Sequence, residues 1–524
     1  MELLGRRQIF CDEQVIDESN ILRVLDKAFT IHEKNRAEIL YLSEYAKGKQ
    51  PILERKKQIR PEINEKIVDN MAAEILEFKL GYEFGSPITY VQRARNDIKS
   101  RRSLKSFLTR ILTGCTQKES QAEDMRVASL NEMMVEECKA AKDLQLAKDV
   151  KTGGVGYRLV YPKKLKTGVS VFDLLVLNPA NTFVVYSNDA YREPMLGVTY
   201  FKQDTGGTIF GCYTKSRYFE IVRGVIYDPM GQYTRDVPVP GQISVKTANV
   251  LGMVPIIEYI NDYDRMGCFE RVIPLIDALN TIDSDRVNDI AQHVQSLLWG
   301  DNIDIDKEQY AKLREDGVVV TRSEQGRQAT LKYLESVLNQ SENQTLVDYM
   351  KQQVLDITNT PSRSELSGGS TGSATNMSTG WMAAETDAKE KEQIWGASER
   401  RETAVILKIL QTSDEVDADV AKLSLSDIEI RFSRSKTYDL ATKTNSLATL
   451  INTGIDPLRA IETVGLFTDP QQVALDSAER IDKLLFKIDE QDNTARDQGD
   501  QTDDTGKQQP DITDQPSTKS VSDE

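Results

Sequence analysis

Apolar residues recur at helical spacing at both ends of this chain, and between them they come in short, nearly unbroken runs. Ile21, Leu22, Leu25 and Phe29 share one face of a helix that continues through HEKNRAEILYLSEYAKGKQPIL to a Gly and Pro break. Ile63, Ile67, Met71, Ile75 and Phe78 predict a second helix over Ile63 to Leu80, followed by the turn LGYEFGSPITY. Leu130, Met134, Cys138 and Leu144 predict a third over Ser129 to Val150.

From 155 to 260 the period changes. GYRLVYP, VSVFDLLVL, NTFVVYS, MLGVTYF and YFEIVRGVIYD are rich in Val, Tyr and Phe and bounded by Gly, Pro and Asn, which predicts an antiparallel, strand-rich region. No sustained alternation with long helices follows, so a doubly wound sheet is not expected and the expected class is α+β.

The most informative stretch is 270 to 410. A helix from Glu270 to Leu298 places Leu275, Leu279, Ile282, Ile290 and Leu297 on one side and Asp277, Asp285 and Asp289 on a separate polar arc, with its end marked by WGDN. A compact segment with the strand-like GVVVT precedes a return helix, Leu338 to Ile357, so the two helices form a projecting hairpin with a small tip. The span Thr360 to Gly380 follows, with four Gly, many Ser and Thr, and Arg363 as its one cation. A long charged helix then starts near Trp381 and places Trp381, Ala388, Trp395 and Ile409 on one side. Beyond it lie a strand candidate, IEIRFSRSKT, and helices at Asp439 to Ile451, DPLRAIETVG and Pro470 to Phe486.

Composition narrows the function. At 524 residues with 39% hydrophobic content the chain can bury a large core in two to four domains. The net charge of −16 argues against a protein that wraps and neutralises phosphates, though not against DNA passing by. Half of that charge lies in residues 489–524, with eleven acids against three bases and almost no apolar residues, a composition that predicts disorder. Neither a signal peptide nor a membrane span is expected. The five cysteines are odd in number and widely spaced, which suits thiols rather than a disulfide or metal framework.

Catalytic and ligand chemistry is sparse. His32 and His293 are the only histidines and neither has a Cys or His at ligand spacing, so no metal site is expected. GGSTGSAT lacks the lysine of a phosphate-cradling loop and no apolar strand precedes it; no cofactor is expected. The ExxE and DxxxD pairs fit hydrated helix faces better than acid–base machinery. Asp285 and Asp289, one turn apart, suit either an ordinary wet face or, in many copies lining a channel, an acidic wall that repels DNA phosphates. The Thr360 to Gly380 span is either a plain surface loop or an anchored lever whose small residues change shape at low steric cost.

Four strings in order give the chain a family likeness. HEKNRAEILYLSEYAKGKQPIL at His32 to Leu53, LGYEFGSPITY at Leu80 to Tyr90, VPIIEYINDYDRMGCFERVIPLIDALNTIDSDRVNDI at Val254 to Ile290 and SGGSTGSA at Ser367 to Ala374 resemble motifs of the portal proteins of tailed double-stranded DNA bacteriophages. The branch they resemble most is that of siphophages of Gram-positive hosts, over roughly residues 20 to 490. Ala46 stands where that pattern has a second tyrosine, Asn64 stands alone where it has paired asparagines, residues 278–280 read ALN rather than AYN, and Arg102 to Arg126 is insertion-like.

The resemblance implies a portal fold and a ring, typically of twelve subunits, at one vertex of the capsid. It implies an N-terminal wing over 1–259, a first stem helix over 260–299, a clip over 300–336, a second stem helix over 337–358 and a tunnel loop over 359–380. A long wing helix and connector would fill 381–427, a crown 428–488, and a disordered acidic tail 489–524. The clip, with Asp304, Asp306, Lys307, Arg314, Glu315 and Arg322, would dock the terminase large subunit and later the head-completion or adaptor protein. Ser367, Gly368, Gly369, Ser370, Thr371, Gly372 and Ser373 would line the channel, above an acidic stem face of Asp277, Asp285 and Asp289. Major capsid and scaffolding proteins would be further partners, with double-stranded DNA passing through and no membrane involved. Such a protein is assembled in the host bacterial cytoplasm, ends in the virion, and catalyses nothing. The competing classes are an enzyme, which needs a convergent polar pocket with a perturbed group, and a nucleic-acid clamp, which needs a basic lining.

Overall fold

The computed structural model describes residues 5–467, with 473 and 477, apart from 59–60, 93–115, 164–167, 204–206, 225–238, 295–297, 302–329, 334–339, 363–379 and 435–439. Two units separate after Ser435. The second contributes the helices Leu440–Asn452 and Pro457–Val464. Asp456 caps the latter by accepting from the Arg459 amide, and Gly465 ends it in the left-handed region, so DPLRAIETVG encodes its own start and stop.

Everything else belongs to the first unit. Its helices are α1 (Ile21–Ala46), α2 (Met71–Phe84), α3 (Thr116–Glu136), α4 (Lys139–Gly153), α5 (Ile273–Val294), α6 (Gln340–Ile357) and α7 (Trp381–Thr412). Its strands are β1 (Ile9–Cys11), β2 (Thr89–Gln92), β3 (Val155–Pro162), β4 (Phe172–Leu177), β5 (Thr182–Ser187), β6 (Pro194–Lys202), β7 (Thr208–Thr214), β8 (Arg217–Gly224), β9 (Val239–Ala248), β10 (Ile256–Ile260), β11 (Leu298–Asp301), β12 (Thr330–Tyr333) and β13 (Ile428–Arg431). A six-stranded sheet runs β1-β5-β6-β7-β8-β9, a three-stranded one β10-β3-β4, and β11-β12 and β13-β2 form pairs. Among the described residues only the β1–β5 pairing is parallel, so the chain is α+β as the apolar runs require.

Strand β5 shows why those runs lack alternation. It is buried on both faces: Phe183 and Val185 join a core with Ile21, Val24 and Leu25 of α1, while Val184 and Tyr186 join another with Val155, Tyr157 and Ile256. A period of two divides the strand between two cores.

Three boundaries depart from the sequence expectation. Helix α2 starts at Met71, not Ile63, with Asn70 capping it by accepting from the Ala73 amide. Residues 64–70 instead run without helix or strand along α5, where Asp69, Ile67 and Glu65 donate their backbone N–H groups to Asn280 (2.8 Å), Ser284 (2.9 Å) and Asn288 (2.7 Å). Four helix residues rise about 6 Å and two extended residues about 6.7 Å, so the two repeats keep step over three rungs. The same apolar positions therefore served two conformations, and α5 side chains replaced the helix's own hydrogen bonds.

The third helix expected from Ser129 to Val150 is two helices, broken at Cys138, which sits in the left-handed region (φ 50°). This turn lets Leu144 face outward, while Leu146 and Val150 pack inward. Finally, α5 ends by Val294, and the WGDN tetrapeptide begins in β11, paired antiparallel with β12. Ile290, expected on the packed side of α5, is 58% exposed, whereas Ile276, which the spacing missed, is fully buried.

Candidate functional site

The antiparallel strand pair β11–β12 joins α5 to α6, so this part of the chain leaves the core on one helix and returns on another. The root is apolar: Leu42 and Tyr45 of α1, Met71 and Ile75 of α2, Phe269, Val272, Ile276 and Leu279, and Val347 and Val354 of α6 form one buried cluster. Away from it the two helices bare Val287, Ile290, Leu346 and Tyr349, the last at 61% exposure.

Helix α6 stops in a Schellman motif. Asn359 takes the left-handed conformation (φ 49°), its amide donating to Asp356 O (3.2 Å) and that of Thr360 to Leu355 O (2.9 Å). Thr358 and Thr360 share a 3.0 Å hydroxyl hydrogen bond, and Pro361 follows. The chain re-enters helix at Gly380, whose Cβ position lies 3.7 Å from Pro361 Cα. The expected loop therefore starts and ends at one place.

A single buried lysine spans that closure. Lys79 of α2 donates to the Asn359 carbonyl (3.4 Å), at the end of α6, and pairs with Asp387 (2.5 Å), in the second turn of α7. Trp381 packs edge-on to Phe78 and Tyr82 of the same helix, Tyr82 donates to Glu385 (2.6 Å), and Arg434 reaches both Glu385 (2.9 Å) and Glu392. Thus α2 acts as a common mount for both flanks of the loop.

Farther along, α7 is fixed by a sealed polar cluster. Glu399 and Glu402, both with no exposure and one turn apart, meet Lys139 and Asp143 of α4, Arg158 of β3, and the hydroxyls of Tyr90 and Tyr259. Burial pushes the Glu399 carboxyl up, but Lys139 and Arg158 outweigh it and hold it down at about 2. Glu402 is raised, by burial and by the Glu399 charge against the pull of Arg158. With two cations for three carboxylates, one acid carries the imbalance.

The acidic arc of α5 is already partly engaged. Asp277 accepts from Tyr45 Oη (2.8 Å), and burial raises its pKa against that hydrogen bond. Asp285 pairs with Arg55 (2.8 Å) and Lys57 (3.7 Å). Asp289 is half-buried, with no ion-pair partner among the described residues. The loop residues Ser367, Gly368, Gly369, Ser370, Thr371, Gly372 and Ser373 lie outside the described residues, as do Asp304, Asp306, Lys307, Arg314, Glu315 and Arg322. The sequence reading missed Lys79 and the Asn280, Ser284 and Asn288 ladder. Their signal was there: a lone lysine in the otherwise apolar run FKLGY, and small polar residues at i, i+4 and i+8 on a helix.

Among the described residues no group of His, Cys, Asp or Glu is placed to hold a metal ion, and no helix is long and apolar enough to cross a membrane. The comparison with family models decides the class, since the model of "Phage portal protein, SPP1 Gp6-like" matches residues 25–492. The chain belongs to this phage portal family. This portal protein is accordingly a structural component of the capsid in a phage virion and acts as part of a multimer. No curated protein matches it. A chain from a solved structure titled "Virion of native gene transfer agent (GTA) particle" is similar at 13% identity and a TM-score of 0.35, over 75% of this chain and 100% of that one.

Proposed function

We propose that this portal protein closes into a ring of twelve copies whose central channel passes double-stranded DNA into the capsid and out again. The observation that carries the ring is the bare apolar strip on the hairpin helices, Val287 and Ile290 on α5 with Leu346 and Tyr349 on α6. An isolated hairpin gains nothing by exposing these side chains, and a neighbouring hairpin would bury them, because head-to-tail contacts make a ring when their rotation closes. Residues 300–336 form the clip that docks the terminase large subunit and then the adaptor, 359–380 the tunnel loop, and 428–488 the crown. Asp289 faces the channel as part of the acidic stem face; Asp277 and Asp285 act mainly in holding α5 to Tyr45 and Arg55.

Particle images and native mass of the purified chain test this. Rings of about twelve copies are expected, and Ile290→Glu with Tyr349→Glu should leave monomers with unchanged circular dichroism, because each buried charge without a partner costs several kcal/mol. A strict monomer of the unmodified chain at micromolar concentration, across several salts, overturns the reading.

A further inference from the structure

Lys79, which ties both flanks of the loop to α2, is followed one turn later on the same helix by a second buried charge. Glu83 is 7% exposed, and its Oε2 pairs with Lys151 of α4 (2.5 Å), whereas its Oε1 has no hydrogen-bond partner among the described residues. Asn261, which follows β10, is 5% exposed, and its Oδ1 is unpartnered in the same way. Its Nδ2 donates to Met266 O (2.9 Å), so turning the amide over would set one carbonyl oxygen against another. Oδ1 is therefore fixed as an acceptor to which nothing described donates.

Both side chains line one small cavity of about 10 Å³, together with Lys151, Lys391, Glu392 and Trp395. Other polar groups of its wall are already engaged: Trp395 Nε1 donates to Glu399 (3.2 Å), and Glu392 pairs with Arg434. Phe84, packed on Trp395 at 4.6 Å between ring centroids, closes a further side without a polar side-chain atom. Buried acceptors left unmet are costly, and native interiors contain few of them. Three properties select what meets these two. The occupant has to donate twice, because both orphaned atoms are acceptors. It has to be neutral, because Lys151 and Lys391 already balance Glu83 and Glu392 in the same wall. It has to be small, since a space of about 10–15 Å³ holds one water.

We propose that this cavity binds a single water molecule, which donates one hydrogen to Glu83 Oε1 and the other to Asn261 Oδ1 and so joins α2 to the end of β10. Its oxygen is left to accept from the Lys151 or Lys391 ammonium group, completing the three or so hydrogen bonds usual for buried water. The mount is then fixed on two successive turns of α2: Lys79 holds the loop flanks, and Glu83 holds α4 directly and the residue after β10 through the water. The site lies within one copy and does not rest on the ring reading.

The test is a density map of the full chain at a resolution that shows ordered water, recorded in sodium and in rubidium chloride, with Lys391→Met beside the unmodified protein. One peak about 2.5–3.0 Å from both oxygens is expected, equal in the two salts and retained in Lys391→Met. No peak where other buried waters are visible, the Lys391 ammonium group in its place, or density that grows with rubidium overturns the proposal. Val150→Ile adds a methyl group to the cavity wall and should displace the peak. The Asn261 amide, which donates to Gly154 O (3.0 Å), should then exchange about tenfold faster or more, because two acceptors lose their donor. Unchanged or slower exchange is the behaviour of a dry cavity that gains by being filled, and would overturn the role given to the water.

Discussion

Replacing Ser284 by alanine should loosen one rung of the ladder that ties residues 64–70 to α5. Ser284 has no exposure, and its hydroxyl accepts from the Ile67 amide while donating to Asn280 O (2.6 Å) within its own helix. The alanine removes the acceptor that Ile67 uses, along with the hydroxyl's contacts to Asn280 O and Ile67 O (3.4 Å), and leaves the partly buried Ile67 N–H unpaired, at about 1–3 kcal/mol. If local opening governs exchange, that range accelerates the Ile67 amide by roughly five- to 150-fold, at 1.4 kcal/mol per decade. Glu65 and Asp69 keep their own acceptors, Asn288 and Asn280, and should change less. Residue-resolved hydrogen exchange reads all three. Thr281→Ala is the control, since that exposed hydroxyl donates to Asp277 O of its own helix and to nothing on the 64–70 strip. Unchanged protection of Ile67 in Ser284→Ala, or free-peptide exchange of all three amides in the unmodified chain, would refute the claim that α5 side chains stand in for helix hydrogen bonds.

Two further outcomes follow from the buried charges. Glu399→Gln should lower the thermal midpoint more than Glu402→Gln, because Lys139 and Arg158 favour the Glu399 charge while burial and that charge oppose one on Glu402; equal or reversed losses would contradict the assignment of the imbalance to Glu402. His32, buried with its Nε2 3.1 Å from Ala180 O, is pushed down to about 4 by burial. Its folded pKa lies below the unfolded one, so its contribution is whole above about pH 6.5 and is lost as pH falls toward 4, at most about 3 kcal/mol. In His32→Phe the slope of stability against pH across that window should flatten, and an unchanged slope would show that other groups set it.

How much of this could be read from residues alone depended on whether a segment supplies its own hydrogen bonds. Helix α7 does: Trp381 through Thr412 is one continuous helix, as the pattern after the Gly-rich span requires. So do Pro457–Val464, with Asp456 and Gly465 as its caps, and the Val- and Tyr-rich strands, whose partners are strands of the same composition. The Ile63 to Asn70 stretch does not, because the N–H groups of Glu65, Ile67 and Asp69 are satisfied by side chains more than 200 residues away. Cys138 escaped for a related reason: apolar spacing runs straight across it, while the helix beyond its left-handed turn packs on α1, α2, β3 and β4, which are distant in sequence. The acidic arc was legible as an arc, but whether a carboxylate stays free depends on Tyr45, Arg55 and Lys57, which the sequence places more than 220 residues away.

The closed loop base changes what the lever idea can mean. A lever needs ends that separate or rotate against each other, and the sequence suggests one because helices flank the Thr360 to Gly380 span. In the fold, Pro361 and Gly380 lie side by side, Lys79 ties Asn359 to Asp387, and Trp381 is wedged against Phe78 and Tyr82. Whatever path residues 363–379 take, they start and finish on one mount that is itself part of the apolar root of the hairpin. Beyond that mount, α7 is held again by Glu399 and Glu402 among sealed charges, where sliding by a turn would take both carboxylates from Lys139 and Arg158 and leave Asp143 alone against two buried cations, at several kcal/mol. A push on the loop is therefore absorbed at its base rather than passed along α7. On the ring reading proposed above, each copy would then accommodate passing DNA on its own, and coupling between copies would have to travel through the contacts that neighbouring copies share.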